Sequence, residues 1–484
     1  MSLLLPFKRS IRRAILSTAA VLCILFASLS APATTLRLPR HEKVVLKNGL
    51  TVLLLEKRGV PMISVVALVK AGAAADAVGL EGLASVTAGL LRKGTRNRTA
   101  QQFAADLDFT GGSFSADASA DSTIVTAQFL SKDVARGLDL FSDALLRPIF
   151  PQEEVDKLLK QNLDGIKAAK DEAQSVLTTY FAGYLYGAHP YGRPEGGDEI
   201  SLTRIRRDDV QKFYAAHYTP GNTILTVAGD FSAAEMRKNV EETFGRWAGS
   251  PAPAEKVAAL APLKGKRLLL IDKPDATQTF FAIGNVGTAG GDPDRVAIRV
   301  VNTIFGGRFT SLLNEELRVK SGLTYGAFSF FESRKAPGPF LIFSYTENST
   351  TTQAIDMALQ VLAELHKNGV TKEQLDSAKS YIKGQFPPTI ETSMQMARLI
   401  TTIEFFGLDD SEVNDLESRV DAVTPEMARH AIEKHYPLDN LIFVLIGKAA
   451  AIRPAVQKYA SQMDQRAIAD PGFWPPPANA VKPK

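Results

Sequence analysis

The chain has six histidines, His41, His189, His217, His366, His430 and His435, and they are its strongest potential metal ligands. Two imidazoles four residues apart on a helix point the same way, and a carboxylate three after the first shares their face. An H-x-x-E-H stretch uses this geometry to hold zinc through two nitrogens while the glutamate polarises the bound water. No histidine pair here stands three or four apart; His430 and His435 are five apart, so they diverge on a helix. Thiolate chemistry is excluded as well, because the only cysteine, Cys23, lies inside an apolar run near the N-terminus.

The elements that would position any chemistry form a unit that occurs twice. "HYTPGNTILTVAGDFS" begins at His217 and "HYPLDNLIFVLIGKAA" at His435, 218 residues apart; each reads as a helix end, a turn and a buried strand. Upstream, "FPQEEVDKLLKQNLDGIK" parallels "VTKEQLDSAKSYIKGQF", with Asp156 and Asp376 220 residues apart. Two matches at nearly one offset imply duplicated domains rather than a solenoid. Within a copy, "EKVVLKNGLTVLLLEK" predicts a hairpin around Asn48-Gly49, and "MISVVALVKAG" and "TIVTAQFL" predict strands. Residues 80–92 are expected to be helical, with Leu80, Leu83, Ala84, Thr87 and Leu91 on one stripe. "QQFAADLDFTG" and "DVARGLDLFSDALL" predict helices, and residues 152–183 a helix pair or one kinked helix. The expected class is α+β: two duplicated domains of about 220 residues, each a mostly antiparallel or mixed sheet with helices packed on one face. The domains are expected at 34–248 and 267–460, joined by a Pro-rich linker at 249–266 and followed by a Pro-rich tail at 461–484.

Of the 484 residues, 45% are hydrophobic, enough for large cores. The formal charge of +4 is carried at the front: Lys8, Arg9, Arg12 and Arg13 precede the first acid, Glu42. Without residues 1–33 the body is neutral, which argues against nucleic acid as a partner. The basic cluster, the uncharged run Ala14–Ser30 and the small residues Ala31 and Ala33 predict a signal peptide cleaved after Ala33. Export without cysteine in the mature chain suits the periplasm. An uncleaved run would instead be a short membrane anchor.

The stretch "GLEGLASVTAGLLRKGT", residues 79–95, resembles the zinc helix of the pitrilysin/insulinase metallopeptidases, which runs G-L-A-H-x-x-E-H-x-x-x-K-G-T. Gly82, Leu83 and Ala84 precede the motif, and Lys93, Gly94 and Thr95 follow it. In this register the two histidines fall on Ser85 and Gly89 and the general base on Ala88. The family's third ligand, a glutamate on a later helix, falls on Gly165 in "NLDGIKAAKDE". Its G-G-x-x-N-A turn appears as "GGSFSA", with Ser115 for the asparagine. Glu81 and Asp164 stand near the blank positions, but two carboxylates without imidazole make a poor zinc site.

The second copy keeps what the first has lost. "FGGRFTSLLNEELRVKSGLTYGAFSFFES" is similar to a family segment bearing an arginine and a tyrosine that reach toward the zinc site of the opposite half; here they are Arg318 and Tyr325. A guanidinium and a phenol can hydrogen-bond a peptide carbonyl and the oxyanion that grows on it. Outside that frame, an arginine late in a helix complements the dipole and a tyrosine before a strand packs. Gly306-Gly307 lacks a following P-loop lysine and reads as a turn. The resemblance implies a half-length, non-zinc subunit with no metal in its own chain. Zinc is expected in a homologous partner with intact H-x-x-E-H, and peptides are the substrates. The isolated chain could pair with itself. The competing expectation is a catalytically silent periplasmic peptide-binding or scaffold protein.

Overall fold

The computed structural model describes residues 37–249, 260 and 263–473. Both sheets belong to the unit that begins at Pro39. In the first half, β1 (His41–Val45), β2 (Thr51–Glu56), β3 (Met62–Val69), β4 (Ser113–Ala118), β5 (Thr123–Leu130) and β6 (Thr223–Gly229) form a sheet in the order β1-β2-β6-β3-β5-β4. The β1–β2 hairpin turns at Asn48-Gly49 as expected. Gly49 sits at φ +90°, and the Asn48 amide reaches the carbonyl of Phe244 at 2.8 Å. In the second half, β7 (Arg267–Asp272), β8 (Gln278–Val286), β9 (Ala327–Phe331), β10 (Pro339–Glu347), β11 (Ile442–Gly447) and β12 (Gln462–Ala467) form a sheet in the order β12-β7-β11-β8-β10-β9.

Five strands correspond between the sheets. β2 lies parallel to β6 as β7 does to β11, and β3 lies antiparallel to both neighbours as β8 does. The sixth position is filled differently. β1 pairs antiparallel with β2 through a hairpin, whereas β12 comes from beyond residue 460 and runs parallel to β7. The segment expected as a tail from 461 therefore supplies an edge strand up to Ala467. The edge of β7 needs backbone partners, and "QMDQRA" supplies them with too little apolar alternation to announce a strand. Most of the expected linker, and Trp474 with the prolines after it, lie outside the described residues.

The helices include α1 (Leu83–Leu90), α2 (Gln152–Asp171), α3 (Ala173–Tyr186), α4 (Arg295–Phe305), α5 (Lys372–Gln385) and α6 (Ser393–Phe406). α2 and α5 are the duplicated pair that carries Asp156 and Asp376. α2 and α3 are the expected helix pair, broken by extended backbone at Glu172. Strand alternation gives each sheet two apolar faces. Ile63, Val65, Ala67 and Val69 join one core with α1 and the first half's helices. The residues between them face α6, where Ser64 Oγ meets Ser393 Oγ at 2.8 Å and Thr226 Oγ1 meets Thr401 Oγ1 at 2.6 Å. Reciprocally, Val176, Leu177, Tyr180, Phe181 and Tyr184 of α3 pack with Leu269, Ile271, Ala282, Val444 and Ile446 of the second sheet. So each sheet carries its own helices on one face, and a helix lent by the other half covers the opposite face. Each large apolar side chain so buried contributes about 1.5–3 kcal/mol.

Candidate functional site

α1 starts at Leu83, later than the expected 80–92, because Gly82 takes a left-handed φ of +92°. The Asp76 carboxylate, 3% exposed, accepts the amides of Gly82 (2.7 Å) and Ala84 (2.8 Å) there. Burial outweighs those amides and the Arg193 charge, and pushes the Asp76 carboxyl up to about 7.

On this helix Ser85 and Gly89 are half-buried, and Ala88 lies beneath them at 1% exposure. A Cβ at Gly89 would stand 3.0 Å from Cδ2 of Leu158, on α2. Gly165 lies two turns beyond Leu158 on the same face of α2 and is exposed, with open space around it. The neighbouring carboxylates are engaged elsewhere: Glu81 accepts the amide of Gly79 at 2.9 Å, and Asp164 pairs with Lys160 at 2.7 Å. Zinc does not fit this place. It offers a hydroxyl and two glycines, and a leucine methyl crowds the Cβ position of residue 89. Asp292, Asp294 and His435 gather elsewhere within 4.8 Å, but Lys434 Nζ sits 2.7 Å from Asp294, so that cluster is an ion-pair network. Ser115 lies on β4 with its hydroxyl 2.9 Å from Thr126 Oγ1.

The second half presents Arg318 and Tyr325. Arg318 sits in a π-helical segment, Glu315–Lys320, that continues Leu312–Asn314. Such turns recur at functional sites. The following turn is fastened: Leu323 and Thr324 amides both reach the Leu317 carbonyl (3.0 and 3.3 Å), and Gly322 takes a φ of +65°. Tyr325 projects from it, 76% exposed. Among the described residues its phenol has no hydrogen-bond partner, and the Arg318 guanidinium has no ion pair or hydrogen bond. That guanidinium stacks on Phe309, with Cζ 4.5 Å from the ring centroid. Phe309 escaped the sequence reading, since a lone phenylalanine after Gly306-Gly307 carries no spacing signal. The two glycines serve close approach: a Cβ at Gly306 would lie 2.4 Å from Ser329 Oγ, and one at Gly307 2.9 Å from the Asn302 carbonyl. Neither Arg318 nor Tyr325 hydrogen-bonds residues 85, 88, 89 or 165.

The two sheets end differently. On β9 the outer edge is closed: Ala327 N donates to Asn314 Oδ1 (3.0 Å), Ser329 N to the Gly306 carbonyl (3.1 Å), and Asn302 Nδ2 to the Ser329 carbonyl (2.9 Å). On β4, among the described residues, the outer edge has no strand or side chain paired to it.

Residues 51–198 match the domain described as insulinase (peptidase family M16), and residues 204–382 match the peptidase M16 inactive domain. The chain belongs to the M16 family. Among M16 relatives, an uncharacterized zinc protease of Streptomyces coelicolor is 26% identical over 70% of this chain and 75% of its own length. One from Bacillus subtilis is 24% identical over 74% of this chain and 86% of its own length. The crystal structure of a peptidase M16 inactive domain from Pseudomonas fluorescens superposes with a TM-score of 0.80 at 27% identity, covering 84% of this chain and 98% of that one. A Helicobacter pylori protease, 22% identical, shares the fold with a TM-score of 0.74 over 84% of this chain and 100% of that one. Against the M16 zinc motif, this member is blank at all four positions, Ser85, Ala88, Gly89 and Gly165.

Proposed function

We propose that this chain is the non-zinc subunit of a two-subunit M16 metallopeptidase, exported to the periplasm by residues 1–33. It lends Arg318 and Tyr325 to a site whose zinc and general base belong to a homologous partner with intact H-x-x-E-H. The observation that carries this reading is an uncompensated pair of donors. A structural arginine is ordinarily held by a carboxylate or carbonyl, and a structural tyrosine is ordinarily buried. Arg318 has no such partner among the described residues, and Tyr325 is 76% exposed. The substrate class is extended peptide. The open edge of β4 can pair with one, while guanidinium and phenol donate to its carbonyl and to the oxyanion formed on attack.

The test is copurification with an intact-motif homologue, then peptidase assays of each chain alone and mixed. Activity is expected only in the mixture, with no stoichiometric zinc in this chain after dialysis. Tyr325→Phe removes one donor to the oxyanion and should cost roughly a hundredfold in kcat, about 3 kcal/mol. Arg318→Ala should also raise KM, because it contacts the ground-state carbonyl. Association should survive both changes. Unchanged turnover in both variants, with assembly intact, would leave a silent peptide-binding or scaffold protein as the better reading. Self-association of the isolated chain is read from the same preparations by light scattering.

A further inference from the structure

We infer that Phe309 is a positioning residue for Arg318, holding the guanidinium in place without using any of its donors. The inference rests on the reading of Arg318 as a substrate-facing cation. Phe309 is 57% exposed, a costly place for a phenyl ring. The loop that carries it is nevertheless fastened on both sides. Before it, the Gly306 and Gly307 amides donate to the Asn302 carbonyl (2.9 and 2.7 Å), and the Gly306 carbonyl accepts Ser329 N (3.1 Å). At Arg308, the carbonyl accepts Ser311 N (3.1 Å) and Asn314 Nδ2 (3.3 Å). The ring is thus presented to solvent by an anchored loop, and its aromatic face meets Arg318 at 4.5 Å.

The choice of partner matters chemically. A carboxylate would also fix the arginine, but it would occupy two N–H groups and cancel the charge. Guanidinium donors lie in the plane of the group, whereas an aromatic ring engages its face. The ring contact therefore holds the group in place and leaves its donors, none of them hydrogen-bonded among the described residues, and its full positive charge for a carbonyl. Of the two acids in the same segment, Glu316 is taken by Lys320 at 2.6 Å and the exposed Glu315 forms no ion pair with Arg318.

The experiment has two parts. In the isolated chain, the Arg318 Nε–H proton should show an upfield ring-current shift by NMR. That shift should disappear in Phe309→Leu, which keeps an apolar side chain, and persist in Phe309→Tyr. In the assembled peptidase, Phe309→Ala and Phe309→Leu should raise KM about two- to fivefold, the range an exposed cation–π contact corresponds to. Phe309→Tyr should restore it. In an Arg318→Ala background the same changes should cost nothing further. An unshifted Nε–H, full function in Phe309→Leu, or a penalty that persists without Arg318 would overturn the positioning role. If Arg318→Ala itself has no effect on turnover, the reading of Arg318 falls first and this inference falls with it. If Arg318→Ala is damaging and the cycle is additive, only the role of Phe309 is lost.

Discussion

Two residues set the local chemistry beside the blank motif. Leu158 crowds position 89, with a terminal methyl 3.0 Å from where a Cβ would stand. Restored ligands therefore have to push that methyl aside, at the expense of zinc affinity. A Ser85→His, Gly89→His, Gly165→Glu variant is expected to hold no stoichiometric zinc after dialysis, and to gain it when Leu158→Ala is added. Zinc retained with Leu158 in place would show that the leucine does not block the site. Asp76 carries a second consequence. Its folded carboxyl is raised to about 7 by burial, above the roughly 3.9 of an unfolded aspartate. The folded state then binds the extra proton between those values, so stability is fully present below about 4 and falls as pH rises through about 7. Urea midpoints across that window should decline with pH in the wild type and flatten in Asp76→Asn. An unchanged slope in the variant would assign the dependence to other groups.

Between elements, the exchanged helices are held by small buried hydroxyl contacts. Thr401 donates to the Ala397 carbonyl at 2.6 Å and accepts from Thr226, and both threonines are buried. Thr401→Val leaves the Thr226 hydroxyl without its acceptor and should cost about 1–3 kcal/mol, while Thr226→Val with Thr401→Val should recover most of that. Equal losses in the single and double variants, by urea denaturation, would mean the hydroxyl pair is not the cause. The legibility of the sequence follows the same division. Strands such as Thr123–Leu130 and the turn at Asn48-Gly49 announced themselves because their signals are local. The covering helices did not. α6 reads as amphipathic, but nothing in "SMQMARLITTIEFF" says that its apolar side meets β3 and β6 of the other half. β12 was hidden because it joins β7 with polar side chains, and Phe309 because stacking has no sequence spacing. Arg318 and Tyr325 are singled out by the family frame alone, since their own types and spacing fit packing equally well.

At the scale of the whole chain, arginines of the second half reach into the first, Arg267 and Arg466 over Tyr184 and Tyr180 and Arg334 to Glu195. Arg334, 7% exposed, reaches Glu332 at 2.8 Å and the first half's Glu195 at 3.5 Å, and stacks 4.8 Å from Tyr191. Burial already holds the Glu195 carboxyl above its ordinary range. Arg334→Ala would remove a buried guanidinium whose two carboxylate partners are 39% and 43% exposed and so screened by solvent, and with its ring contact should cost about 1–2 kcal/mol. A change below 0.5 kcal/mol in chemical denaturation would reduce the contact to decoration. The exchange of helices has a further consequence, in the order of synthesis. The first sheet is complete when Gly229 leaves the ribosome, yet the face bearing Ser64, Val66 and Thr226 waits for Ser393–Phe406. At the usual elongation speed of about 5–20 residues per second, that wait is roughly ten to thirty seconds. Through that interval a finished sheet travels with one naked apolar side.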